Sequence, residues 1–209
     1  MYNYFNEATL LMRYFRRLYP LSYKRISTLF HYILKFFLII IIISPFYLLF
    51  RRPWKQDLKR ERILAIFILF MLGLLVLALE GNYKHPLLML QSAVNRLSTG
   101  MRINLIPFHS ISGFFRHFRF STFMINIVGN IVMFIPWGFG LPLLWKKRQS
   151  VFSAVLFSAL LPLFIETAQL FIQRSVDVDD LILNFAGGLS GYILYSFYRK
   201  HHNTDQLAR

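Results

Sequence analysis

The chain has 209 residues, 56% of them hydrophobic and 18% aromatic, with only 16% charged, and its mean hydropathy is +0.48. A soluble domain of this length would need far more polar surface, so the composition implies an integral membrane protein. The formal net charge of +15 sits on no soluble basic module, which argues against nucleic acid and for anionic lipid heads, and the absence of cysteine excludes disulfide and thiolate chemistry.

Residues 1–30 are basic and aromatic, with Arg13, Arg16, Arg17, Lys24 and Arg25 among Tyr14, Phe15, Leu18 and Tyr19. That mixture predicts an interfacial amphipathic segment. The first apolar run is long and starts about thirty residues in, unlike a cleavable signal peptide. At roughly 20 residues per span there is room for about five transmembrane helices. They are expected near 31–50, with a kink at Ser44-Pro45, then 62–80, 122–145 interrupted by Pro136 and Pro142, 150–173 and 180–198. The fold class is therefore all-α integral membrane, with about five transmembrane helices. Between the second and third spans, residues 81–121 form a long loop. Its stretch Asn104-Leu105-Ile106-Pro107-Phe108, followed by Ile111 to Phe115, is apolar but too short to span, and predicts a re-entrant or interfacial segment.

Short basic loops suggest an orientation. Arg51, Arg52, Lys55, Lys59, Arg60 and Arg62 precede the second span; Lys146, Lys147 and Arg148 follow the third; Arg199 and Lys200 close the fifth. Five spans put all three clusters on one side, which the positive-inside rule makes cytoplasmic. The basic N-terminal tail would then lie outside, unless the kinked first segment is a hairpin that returns it.

The densest polar pattern is E-x2-Q-x4-R-x2-D-x2-D-x3-N-x2-G, formed by Glu166, Gln169, Arg174, Asp177, Asp180, Asn184 and Gly187. Polar and ionisable groups are costly at membrane depth and mark function or a buried network. Asp177, Asp179 and Asp180 open the last span, where carboxylates cap free N–H groups, and Arg174 ends the one before, where a cation suits the dipole. Helix-end electrostatics thus compete with a binding site of one cation and several anions. Asp177 and Asp180 are spaced to share a helix face and could hold a divalent cation, although carboxylates more commonly pair with arginine. Glu166 lies roughly 12 Å below Arg174 on one helix, too far for a direct pair. It therefore needs a partner from another element, and Arg102 and Asn104 of the long loop are the candidates, with Gln169 one turn away. A structural clamp and a proton-handling or ligand-contacting carboxylate are the two readings. Asn126 and Asn130 on the third span, and Asn184, are expected to hydrogen-bond across helices. Gly129, Gly187, Gly188 and Gly191 suit close helix approach. His109 and His117 have no zinc spacing, and no phosphate loop or nucleophile elbow occurs.

Taken together, Asn104 to Phe108, Asn126-Ile127-Val128-Gly129-Asn130, Phe134-Ile135-Pro136-Trp137-Gly138 and the Glu166–Gly187 run resemble the VanZ-like family of bacterial membrane proteins. The resemblance spans about 60–200. It divides the chain into residues 1–60, an interfacial segment with an extra transmembrane helix; 61–200, the VanZ-like core; and 201–209, a short polar tail. It implies a multi-pass protein of the bacterial cytoplasmic membrane linked to teicoplanin and lipoglycopeptide resistance, with a housekeeping envelope role as the alternative. No settled reaction comes with the resemblance, so no catalytic residue is assigned. The expected role is binding of a lipid-linked anionic cell-wall component, or of the antibiotic, at an outward-facing polar cavity, with Arg102 and Arg174 on the anion. The alternatives are a membrane enzyme acting on a lipid-linked intermediate, with Glu166 or Asp177 as base, and a small transporter or flippase component.

Overall fold

The computed structural model describes residues 34, 37–42, 44–45, 57–81, 85–116, 118 and 120–202. The expected interfacial segment over 1–30, most of the first span, Arg51, Arg52, Lys55, His117 and the 203–209 tail lie outside them. The chain divides into two compact units, Met1–Phe50 and Arg51–Arg209. In the first, the described residues are helical. The second carries the remaining elements.

Its first helix, α1 (Leu58–Ala78), starts where the Asp57 carboxylate accepts from the Lys59 N–H at 2.9 Å and runs apolar on most faces. Its 21 residues give about 31 Å, enough to cross a hydrocarbon core of about 30 Å. The 81–121 region is not one loop. It holds a 14-residue helix, α2 (Pro86–Thr99), opened by Pro86 and closed by Gly100 at φ 68°, the left-handed conformation that glycine adopts freely at a helix end. A two-residue strand, β1 (Ile103–Asn104), and a short helix, α3 (His109–Arg116), follow.

The third expected span is a single helical rod in three parts: α4 (Phe120–Phe123), a π-helical turn over Met124–Val128, and α5 (Gly129–Leu144). Pro136 and Pro142 do not interrupt it, and the irregularity falls instead at the π turn. A 3-10 turn, Lys146–Arg148, leads to α6 (Val151–Phe171), which Ser150 caps by accepting from the Ser153 N–H. Strand β2 (Val176–Asp177) pairs parallel with β1, Ile103 opposite Val176 and Asn104 opposite Asp177. The last helix, α7 (Val178–His201), has 24 residues.

Among the described residues three helices are long and apolar enough to cross a membrane: α1, the rod Met124–Leu144, and α6. That is fewer than the five expected. The first expected span is largely outside the described residues, and α7 carries glycine, serine, tyrosine and asparagine that dilute its apolar character. Among its described residues, seven α-helices, the π and 3-10 turns and one two-residue strand pair otherwise make the unit all-α.

Helices in lipid gain little from hydrophobic burial against one another and associate by close packing through small residues. Here α5 and α7 pack along each other. A Cβ on Gly138 would fall 1.8 Å from the Gly188 carbonyl oxygen, and one on Gly191 would fall 2.1 Å from that of Ile135. Only glycine permits this contact. Leu74 of α1, Phe134 of α5 and Ile165 of α6 form the core on the motif side, and Leu143 and Tyr195 form a second one toward the basic end. At that basic end Arg60 and Glu61 make a buried pair at 3.3 Å, and Arg60 also donates to the Leu144 carbonyl at the end of α5.

Candidate functional site

The polar residues singled out in the sequence gather at one end of the bundle, where α1, α2 and α6 finish and α3 and α7 begin. The first four N–H groups and the last four carbonyls of any helix have no partner within it. Several helix ends meet here, and the charged side chains answer them.

The carboxylates take the N–H groups. Asp177 caps α7 by accepting from the Asp179 N–H at 2.9 Å, and the same Oδ1 accepts from Asn104 Nδ2 at 2.9 Å. Its other oxygen accepts from the Ser110 hydroxyl. Asn104 also donates to Ser110 and accepts from the Ile106 N–H. Asp179 is 1% exposed and reaches across to α3, where it accepts from the N–H groups of Phe108 and Ile111. Asp180 accepts from Asn130 Nδ2 at 2.8 Å and ties the rod to α7. Asp177 and Asp180 therefore turn to different partners. No group of three or more His, Asp or Glu side chains that could hold a metal ion occurs among the described residues.

The arginines take the carbonyls. Arg174 Nη1 donates to Leu77 at 2.9 Å, Ala78 at 3.2 Å and Glu80 at 3.5 Å. It thus closes the end of α1, not that of the helix it follows. Gln169 Nε2 donates to the same Ala78 carbonyl at 3.0 Å, away from Glu166. Arg102 Nη1 reaches the Gln173 carbonyl at 3.4 Å.

Glu166 is buried and accepts from the Asp177 N–H at 3.2 Å. Its partner is thus the backbone of β2, and neither Arg102 nor Asn104 bonds it directly. Asn104 acts one step away, on Asp177. Of the three asparagines expected to bridge helices, only Asn130 does so. Asn126 donates to the Thr122 carbonyl of its own rod at 2.8 Å, and Asn184 Oδ1 is buried with no partner.

One residue of this end escaped the sequence reading. Arg96, on the last turn of α2, is 6% exposed. It donates to five carbonyls: Met101 at 3.3 Å, Leu170 at 2.8 Å, Gln169 at 3.5 Å, Arg102 at 3.1 Å, and Arg174. A guanidinium has five N–H donors in a planar fork, which suits this ring of acceptors. Burial first, and the like charge of Arg102 second, lower its pKa from the ordinary arginine value, and a guanidinium still stays charged. The signal was the periodicity of α2. Leu87, Leu90, Val94 and Leu97 form one exposed stripe, while Ala93 and Arg96 lie on the buried face.

Arg96 Nη2 bonds the carbonyls of both Arg102 and Arg174, so these two exposed residues spring from backbones held by a single nitrogen. Next to them, Met101, Leu105, Ile106 and Phe108 are exposed apolar residues. Arg102, Phe108 and Gln173 have φ of 56°, 64° and 62°. Such conformations are rare outside glycine and persist only where the surroundings over-determine them, commonly at functional sites.

No curated protein and no solved structure matches the chain. Residues 63–199, from the first turns of α1 to the last turn of α7, match the VanZ/LLP1 family model, and the chain therefore belongs to the VanZ/LLP1 family.

Proposed function

We infer that this membrane protein binds a lipid-linked anionic cell-wall component at the motif end, and that this binding contributes to resistance against teicoplanin and related lipoglycopeptides. The observation that carries the reading is that Arg102 and Arg174, both exposed, have their main-chain carbonyls bonded by one nitrogen of Arg96, beside an exposed apolar loop. Guanidinium groups suit phosphate and carboxylate. Met101, Leu105, Ile106 and Phe108 offer hydrocarbon contact to the lipid part of the same molecule. Asp177, Asp179, Asp180 and Glu166 each accept hydrogen bonds from within the fold, which engages the described acids of this end as structural acceptors.

In this reading α7 is a further crossing, since it packs along the α5 rod, and the membrane is the bacterial cytoplasmic one. Lys59, Arg62, Lys146, Lys147, Arg148, Arg199 and Lys200 lie at the opposite end from the motif. The positive-inside rule then turns the motif end outward, where lipid-linked wall precursors and the antibiotic are met.

The test is susceptibility. Expression in a teicoplanin-sensitive bacterium should raise the inhibitory concentration. Arg102→Asn, which tolerates the left-handed backbone, combined with Arg174→Gln should abolish the rise at unchanged membrane levels. Full resistance in the double variant would remove the arginine pair from the account.

A further inference from the structure

At the basic end, remote from the motif, a narrow cleft opens between α5 and α6. Its apolar wall is Trp137, Leu141 and Pro142, and its polar residues include Arg148 and Ser153. Three observations meet there. The cleft lies beside the first turns of α6, a 21-residue helix whose positive dipole end favours anions. The 3-10 turn Lys146–Arg148 sets three cations just before that start, and the Arg148 guanidinium carbon lies 4.3 Å from the centre of the Phe157 ring, which holds it over the cleft. The third observation is the one that points to a ligand. Ser153 is 6% exposed and lines the cleft, and its hydroxyl has no hydrogen-bond partner. A buried hydroxyl left unpaired is costly, and the Ser150 cap engages only the Ser153 N–H, so the unpaired hydroxyl is available to an incoming acceptor.

We propose that this cleft binds the phosphate of an acidic phospholipid headgroup at the basic face of the bundle. The enclosed part has room for about one water-sized group. One phosphate oxygen enters to accept from Ser153, and the rest of the headgroup stays at the mouth under Arg148. A lipid is the source because Val151 and Phe152, on the first turn of α6, are 67% and 77% exposed and offer acyl chains an apolar surface beside the cations. The site is independent of the motif end and of the ligand inferred there.

The test uses the full chain purified in a zwitterionic detergent and titrated with phosphatidylglycerol, phosphatidylcholine or inorganic phosphate, with bound species counted by native mass spectrometry. Phosphatidylglycerol should bind at one saturable site with at least tenfold preference over phosphatidylcholine. Ser153→Ala should weaken it about tenfold, the loss of one hydrogen bond to a charged group. Arg148→Gln, at an exposed position, removes the guanidinium stacked on Phe157 and should weaken it by a similar factor. Equal binding of the two lipids would overturn the proposal, and so would unchanged affinity in Arg148→Gln with a folded Ser153→Ala. Inorganic phosphate binding as tightly as phosphatidylglycerol would overturn the lipid source.

Discussion

Single residues at the motif end do the work of helix caps, and Arg96 does the most. It satisfies carbonyls from α2's own exit, the end of α6 and the turns at Arg102 and Arg174. Each buried acceptor left unsatisfied costs about 1–3 kcal/mol, and Arg96 serves five, so Arg96→Ala should lower the thermal midpoint sharply or prevent accumulation. Arg96→Lys should not rescue it, because an ammonium is a point charge that cannot address acceptors spread around a planar fork. Fluorescence-detected size exclusion after heating checks both, and a wild-type midpoint in Arg96→Lys would contradict the role. Asp179 is the second such residue. Asp179→Asn replaces one acceptor oxygen with a donor, leaves an N–H of Phe108 or Ile111 unpaired, and should cost roughly 1–3 kcal/mol locally. Faster hydrogen exchange confined to Phe108–Ile111 is the expected readout. The residue types here were legible in the sequence, and their partners were not. Glu166, Asn104 and Arg174 stand out by spacing and chemistry, but their bonds run to backbone atoms of other segments, such as Asp177 N–H and Ala78 carbonyl, which no local pattern encodes. Arg96 lies outside the apolar runs, and nothing local in the sequence marks the five backbone carbonyls it donates to.

At the scale of elements, α5 and α7 are the joined pair, and glycine sets their separation. Gly138→Ala would drive a methyl group into the Gly188 carbonyl, an overpacking expected to cost roughly 3 kcal/mol or more. Gly113→Ala is the control, because a Cβ there meets nothing within 4 Å, and removing a helix-interior glycine should stabilise by about 0.5–1 kcal/mol. A comparison of thermal midpoints decides; equal effects would mean that the close approach does not matter. The long elements α1, the α4–α5 rod, α6 and α7 were readable from the sequence to within a few residues, since a long apolar run leaves few alternatives. The exit and entry helices α2 and α3 were not, because a short amphipathic helix resembles a loop when its apolar residues are exposed. Pro86 and Gly100 stand at the boundaries of α2, residue types that suit a helix start and a helix end. The prolines misled in the other direction: Pro136 and Pro142 suggested an interruption, yet the helix continues through both, supported by its neighbours.

For the molecule as a whole, charge separates the two ends. Basic side chains crowd the end formed by the start of α1, the Lys146–Arg148 turn and the close of α7. The motif end instead holds acids and arginines bonded into helix termini. The chain has no native cysteine, so single cysteines can report sidedness without background. Leu105→Cys should react with a membrane-impermeant maleimide added to intact cells, and Lys147→Cys only after permeabilisation; the reverse pattern would invert the orientation. The role proposed for the exposed Arg102 and Arg174, whose carbonyls Arg96 holds, is to take an anionic lipid-linked wall component. It is tested most directly by native mass spectrometry of the gently purified chain, read for a retained undecaprenyl-linked phosphate or pyrophosphate. One such lipid per protein is expected, lost in the Arg102→Asn/Arg174→Gln variant while the variant remains folded. A chain that carries none, or that carries it equally with both arginines replaced, would contradict it.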